Sequence, residues 1–400
     1  MLYLLPIESL LVGMHVVDIT VQWYKHDKLL SQEGVISSIE HLEAIRAAGY
    51  TEAYISLKKS LPGTLPPGIE ELLRPLAHDP FAFTPFESTA PLLEECDLAK
   101  VIYADSLALS RKIEQDARRG VIDVEGARPC IEGIYGSLDR NHDALIGLSK
   151  LRKQDEYTYT HSINVSIFSI LLAKVLGANE EQTLNIGLGA LFHDFGKYYI
   201  PSEIINAPRK LTSEEFAVMQ KHPQLGAQAL ANLDPPIPLL EQIAQEHHEK
   251  FDGSGYPLGL SRGGISTAGA LVSLTDVFDA LTSKRVYKKP FPLSQALSII
   301  YSQRGEHFPP IMVDQFIRIL GVFPFGTTVK LSDGRVGIVS QSTRESALRP
   351  TVRILFDHRD RRVIPYEVDL TVVKESKIVS SVPPQSLDID PAVELNLPRK

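Results

Sequence analysis

"LLEQIAQEHHEKFDGSGYP", residues 239–257, is the stretch on which the reading of this chain turns. Leu240, Ile243, Ala244, His247 and His248 recur at i, i+3, i+4, i+7 and i+8, the stripe of an amphipathic helix with one face in a core. Both imidazoles therefore end an apolar seam and point inward, just before a glycine-rich loop. Two neutral imidazoles in a core need hydrogen-bond donors or a cation. A single inward histidine is more often a satisfied core residue than a ligand. The question is whether other polar groups join these two.

They do. A helix over 158–176, ended by Gly177, aligns His161 with Val165, Phe168 and Leu172. The next helix, capped by Asn179, runs through "TLNIGLGALFHDFGK" (183–197), where Ala190, His193, Asp194 and Lys197 share one face. His222 stands before Pro223 at the end of a helix opened by a Thr212/Glu215 capping box. In "ALVSLTDVFDALTSKRVYKK" (270–289), Asp276 lies on an apolar stripe with Ala268, Val272 and Asp279; Asp279 reads as a structural hydrogen-bonding residue. Arg285 and Lys288 follow, and by themselves they are an ordinary solvated basic end.

Each residue has a bland explanation alone. Together, His161, His193, His222, His247, His248, Asp194 and Asp276 are more buried polar groups than packing satisfies without metal, since an unpaired buried ion costs several kcal/mol. Nitrogen and oxygen donors without cysteine suit iron, manganese, cobalt, nickel or zinc in an open catalytic site. Seven donors exceed one tetrahedral ion, so two ions sharing a carboxylate are the economical arrangement.

The rest of the chain frames this segment. At 400 residues, 44% of them hydrophobic, two or more cores are expected, and a net charge of −8 argues against nucleic-acid polymers and anionic membranes as partners. Cys96 and Cys130 make no disulfide framework, and no apolar run approaches the ~20 residues of a membrane helix. The apolar start "MLYLLPIESLLVGMHVV" lacks a basic leader, so a cytoplasmic protein is expected. Residues 1–60 read as a small α/β unit, with strands in "MHVVDITVQWY" and "EAYISL" and a Ser37/Glu40 capping box opening a helix that ends at Gly49. Seven prolines mark 61–91 as a linker. Residues 92–152 are helical without visible chemistry, 153–321 are helical around the "FDGSGYPLGLSRGG" loop, 322–374 form a small β appendage around an Asp333-Gly334 turn, and 375–400 read as a loose tail. The fold class is mainly α, with a small α/β domain before the helices and a small β appendage after them.

The histidine of "YTYTHS", then "HDFGK", "KHPQLG", "HHEKFDGSGYPLGL" and "DVFDALTSKRVYKK", in that order between Thr158 and Gly321, resemble the HD-GYP family, a branch of the HD superfamily of metal-dependent phosphohydrolases. The first sixty residues are similar to a domain of unknown function that often precedes HD-GYP domains. The resemblance implies an all-helical catalytic domain over 153–321 that hydrolyses the bacterial second messenger cyclic di-GMP to pGpG, and on to GMP if a second cut follows, by attack of a metal-bridging hydroxide. It implies His161, His193, Asp194, His222, His247, His248 and Asp276 as metal ligands, with Asp194 bridging two divalent transition-metal ions, iron foremost. Lys197, Arg285 and Lys288 would hold the substrate phosphates, and the Gly253–Pro257 loop, through Gly255 and Tyr256, would shape the guanine pocket. Some members carry a glutamate four residues before the first histidine for a third ion; Tyr157 stands there, so two ions are expected. Lys250 replaces an arginine common in the family. Glu249 and Asp252 are expected to orient the imidazoles.

Two further readings stand beside this one: a phosphodiesterase preferring linear pGpG, and a non-catalytic cyclic di-GMP receptor that signals to a partner such as a diguanylate cyclase. The intact ligand set weighs against the receptor. Residues 1–60 are expected to be regulatory, and the helices of 92–152 could support a homodimer.

Overall fold

A computed structural model describes residues 2–18, 34–47, 52–56, 60–61, 74–75, 88–151, 157–283, 290–341 and 349–395. The chain divides into two units, 1–84 and 85–400.

In the first unit, alternating apolar residues form an antiparallel sheet of β1 (Leu2–Pro6), β2 (His15–Asp18), β3 (Gly34–Val35), β4 (Glu52–Ser56) and β5 (Arg74–Pro75), in the order β3-β2-β4-β1-β5. Helix α1 (Ile39–Ala47) contributes Leu42 and Ile45, three apart, to a core with Leu5, Met14, Val16, Ile36 and Ile55. Two expectations are corrected here. The cap of α1 is Ser38, whose hydroxyl accepts from the His41 backbone N–H at 3.2 Å, one residue beyond the expected Ser37. Part of the proline-rich stretch belongs to the sheet, because Arg74 and Pro75 pair with Leu4 and Tyr3. Proline tolerates such an edge position, where no ladder donor is needed. Gly49 lies outside the described residues.

The second unit is built from α2 (Leu92–Ala117), α3 (Arg128–Leu151), α4 (Tyr157–Val175), α5 (Glu180–Phe192), α6 (Ser213–Met219), α7 (His222–Leu230), α8 (Pro238–Glu246), α9 (Thr267–Thr282), α10 (Leu293–Ser302) and α11 (Pro310–Leu320). Helix α4 is apolar almost all round, the signature of a helix surrounded by others, and it packs on α2, α3, α5, α9 and α11. Phe168, Phe278 and Phe316 meet edge to face where α4, α9 and α11 converge, with ring centroids 4.9 to 6.1 Å apart. Helix α3 breaks at Asn141, whose φ of −164° is extended. Its side chain donates to the Ala90 carbonyl and accepts from the Asp143 N–H, capping the second half as a new helix start. The fully buried Glu95 carboxylate joins α2 to α3 by accepting from Ser137 and, twice, from Arg140.

After α11, β6 (Thr328–Leu331), β7 (Val336–Gln341), β8 (Thr351–Phe356), β9 (Arg362–Asp369) and β10 (Ile378–Ser381) make an antiparallel sheet in the order β10-β6-β7-β8-β9. The Asp333-Gly334 turn joins β6 to β7, with Gly334 at φ +90°, where other residues would be strained. The sheet takes in residues expected in a loose tail: β10 pairs with β6, and Ile378 is buried with Val329, Leu331, Val352 and Ile354. An edge strand that short carries too little alternation to stand out in sequence. No helix among the described residues is long and apolar enough to cross a membrane.

Candidate metal centre

The centre draws His193, Asp194, His222, His247 and His248 from helix ends, and His161 and Asp276 from within α4 and α9. Helix α5, opened by the Asn179 capping box, stops at Phe192 rather than running on to Lys197 as the spacing suggested. The chain then turns through Asp194 into a short 3-10 helix, Phe195–Tyr199. Close approach explains the turn, since a β-carbon on Gly196 would lie 1.9 Å from the His222 carbonyl oxygen. The second difference is at His222, which begins α7 after a break at the end of α6 instead of closing α6. Together these features bring the "HD" pair against the start of α7.

Three histidines are oriented in one way. The Nδ1–H of His193 donates to the Ala190 carbonyl at 2.6 Å, that of His222 to Met219 at 2.8 Å, and that of His247 to Ala244 at 2.8 Å. A carbonyl can only accept, so the proton sits on Nδ1 and each Nε2 presents a lone pair to the interior. His161 is held alike by a carboxylate: its Nδ1 donates to Asp279 Oδ2 at 2.8 Å.

The inward nitrogens meet other acceptors. Asp194 Oδ1 lies 3.3 Å from His222 Nε2 and 3.7 Å from His247 Nε2, while Oδ2 lies 3.4 Å from His193 Nε2 and 3.7 Å from His161 Nε2. His222 Nε2 and His247 Nε2 are 3.2 Å apart, and His161 Nε2 is 3.2 Å from Asp276 Oδ1. Lone pairs thus face lone pairs, an arrangement only protons or cations between them can stabilise. Asp194 Oδ1 and His193 Nε2 are buried without a hydrogen-bond partner. The donors sort into Asp194, His222, His247 and His248 on one side and His161, His193 and Asp276 on the other, the atoms of each set within 4.8 Å of one another. Nitrogen and oxygen donors in this arrangement fit divalent metal.

Electrostatics agree with this. Burial pushes His247 down to about 4 and His248 well below its ordinary value, keeping both neutral and able to ligate. Burial works to raise Asp194, but Lys197 and His193 hold its carboxylate well below the usual range. Burial likewise works to raise Asp276, and its bond to His161 outweighs it, so Asp276 is lowered. His161 differs: burial opposes its charged form, yet Asp276 and Asp279 hold that imidazole up to about 9, so at neutral pH it carries a second proton that a metal ion would have to displace.

Of the remaining expected site residues, Lys197 donates to Asp194 Oδ2 and keeps 37% of its side chain exposed. Gly255 permits a close crossing, because a β-carbon there would lie 2.4 Å from the Lys250 nitrogen and 2.6 Å from the His248 carbonyl oxygen. The Tyr256 ring lies 4.8 Å from that of His248, tilted by 31°. Arg285 and Lys288, and the side chain of Tyr157, lie outside the described residues. Glu249 and Asp252 do not orient the imidazoles. Glu249, 1% exposed, instead accepts from the backbone N–H groups of Leu258, Gly259 and Leu260, pinning the glycine-rich loop, and Asp252 accepts from Ser254. Three backbone donors around one buried carboxylate leave no periodic trace in a sequence. Asp279 has the structural role expected of it.

Comparison with known proteins places these features in context. Residues 145–311 match the family profile described as an HD domain, 2–127 a domain of unknown function (DUF3391), and 328–389 a KOW domain associated with HD domain. The chain is 32% identical over 369 residues to the cyclic di-GMP phosphodiesterase PA4108 of Pseudomonas aeruginosa, covering 92% of this chain and 88% of that protein. It is 37% identical over 175 residues to the 3′3′-cGAMP-specific phosphodiesterase 2 of Vibrio cholerae, covering 42% of this chain and 34% of that protein. Among solved structures, Bd1817 of Bdellovibrio bacteriovorus aligns with a TM-score of 0.46 at 20% identity, over 80% of this chain and 99% of that one.

Proposed function

The chain belongs to the HD-GYP family of HD-domain proteins, and on that premise we propose that it is a metal-dependent phosphodiesterase that hydrolyses cyclic di-GMP to pGpG. The observation that carries this reading is Asp194, whose two oxygens face two separate sets of inward-pointing nitrogens. One ion would take Asp194, His222, His247 and His248, and the other His161, His193, Asp276 and the second oxygen of Asp194. Iron is the leading choice on the family resemblance, and four nitrogen and oxygen donors with positions left open suit manganese, cobalt or nickel as well. When bound, such ions would lower the pKa of a water and neutralise charge on a phosphoryl group.

The chain's own residues do the rest. Asp194 keeps the two sets in fixed register, and Asp279 keeps Nε2 of His161 facing the centre. Lys197 is 37% exposed, and its ammonium can leave Asp194 for a phosphoryl oxygen. From His248 an aromatic ladder leads outward: Tyr256, then Phe216, whose ring is 6.5 Å from that of Tyr256 and 48% exposed. A phosphodiester held at the histidines would bring a base to this ladder, and Phe216 offers it a stacking face.

The test is to load the protein with iron(II) or manganese(II) in the absence of oxygen, add cyclic di-GMP, and separate the nucleotides by chromatography, with pGpG and 3′3′-cGAMP as parallel substrates. Accumulation of pGpG from cyclic di-GMP is expected. Cyclic di-GMP retained on the protein but not cleaved would overturn the enzymatic reading in favour of a receptor.

A further inference from the structure

Buried side chains outside the ligand set reach the centre through one another, and we propose that Tyr103 is a positioning residue that fixes the orientation of His161. The proposal rests on the reading of His161 as a metal ligand. Tyr103 stands in the middle of α2, 1% exposed, and its hydroxyl donates to Asn164 Oδ1 at 2.9 Å. Asn164 follows His161 by three residues on α4, and its Nδ2 donates to Asp279 Oδ1 at 2.9 Å. Asp279 Oδ2 then accepts from His161 Nδ1. Asn164 and Asp279 are as buried as Tyr103, and His161 is 6% exposed.

Chemistry fixes the direction of every link. The Asp279 carboxylate only accepts, so Asn164 must turn its NH2 toward it and its oxygen away. That oxygen then needs a donor, which is the Tyr103 hydroxyl. Flipping the amide would set its oxygen against the Asp279 carboxylate and leave the Tyr103 hydroxyl to accept instead of donate. Deleting the hydroxyl therefore loosens the choice of amide orientation, and with it the carboxylate that holds the His161 tautomer. The Ser283 hydroxyl also reaches Asp279 Oδ1, at 3.0 Å, so the carboxylate keeps some support when Asn164 shifts. A partial loss of metal affinity should follow, not a collapse of the site. Helix α2 precedes the stretch that matches the HD domain, so a segment outside that domain would take part in the metal centre.

The experiment measures manganese(II) binding to the full chain by equilibrium dialysis against a competing chelator, for wild type, Tyr103→Phe, Asn164→Ala, His161→Ala, and Tyr103→Phe combined with Asn164→Ala. Partners of metal ligands are worth about 10–100-fold in affinity, and Tyr103 acts two links further out. Tyr103→Phe is expected to weaken one manganese equivalent by about tenfold and leave the other unchanged, with an altered manganese resonance spectrum. In the Asn164→Ala background the same change should have no further effect. Wild-type affinity for both equivalents in Tyr103→Phe would overturn the proposal, whether or not its melting temperature falls. If His161→Ala keeps both equivalents, the ligand reading itself is at fault. Should Asn164→Ala not fold, the single hydroxyl deletion still decides.

Discussion

Asp194 carries more of the site than any other described residue, because one of its oxygens faces His222 and His247 while the other faces His193 and His161. Replacing it with asparagine keeps the shape but puts an N–H2 where an oxygen should bridge. Asp194→Asn is expected to bind fewer than two ions and to lose more than the ~10–100-fold that outer partners cost; metal analysis after desalting, read beside turnover, checks this. The imidazoles set a pH dependence for the metal-free protein. His247, at about 4 when folded, and His248, also lowered, take up protons on unfolding below about 6.5. A depressed folded value means the stability is present above 6.5 and is lost as pH falls toward 4. His161, held up to about 9, is protonated in both states below 6.5 and adds no slope there. Thermal melts of metal-free protein should shift down between pH 7 and pH 5, and an unchanged midpoint would contradict neutral, buried imidazoles. These residues were legible in the sequence because each lies on an apolar stripe. Glu249, Asn164 and Tyr103 have roles fixed by contacts 9 to 115 residues away in the chain, and no spacing rule announces such contacts.

At the scale of elements, the centre depends on where helices stop. Periodicity located α4, α5, α8 and α9, but it carried α5 through to Lys197 and placed His222 on the helix before its own. Hydrophobic spacing describes a helix interior and says little of the turn at which it breaks; Gly196, meeting the backbone of α7, is the signal that was available. Gly196→Ala would push a methyl into the His222 carbonyl, and the helix start must move to admit it. A destabilisation on the order of 3 kcal/mol or more is expected, with loss of bound metal. Urea titration checks it, and a variant with wild-type midpoint and metal content would show that the crossing is looser than described. The Phe216 ring makes a different kind of claim. Base stacking on an aromatic is worth ~1–3 kcal/mol, so Phe216→Ala should raise KM for cyclic di-GMP by about 5- to 150-fold while kcat and metal content hold, and Phe216→Tyr should restore it.

For the whole molecule, the sequence separated an amino-terminal α/β unit, a helical body and a β appendage, and that order of folds is the one observed. The boundaries moved for a common reason: short edge strands such as Arg74–Pro75 and Ile378–Ser381 gain their stability from neighbours rather than from their own pattern. Among the described residues, every donor of the candidate metal centre lies in 85–400, as does the Tyr103 chain. A chain lacking residues 1–84 should therefore bind the same number of ions as the full protein, and a lower count by metal analysis would show that the first unit supports the centre.

Whether two ions on either side of Asp194 drive hydrolysis of cyclic di-GMP is decided by following pGpG formation as manganese(II) is added to metal-free protein in measured equivalents. The account predicts little product up to the first equivalent, a steep rise to the second, a plateau beyond it, and no rise at all for Asp194→Ala. Full turnover at one equivalent, or two equivalents bound with cyclic di-GMP left intact, would contradict it.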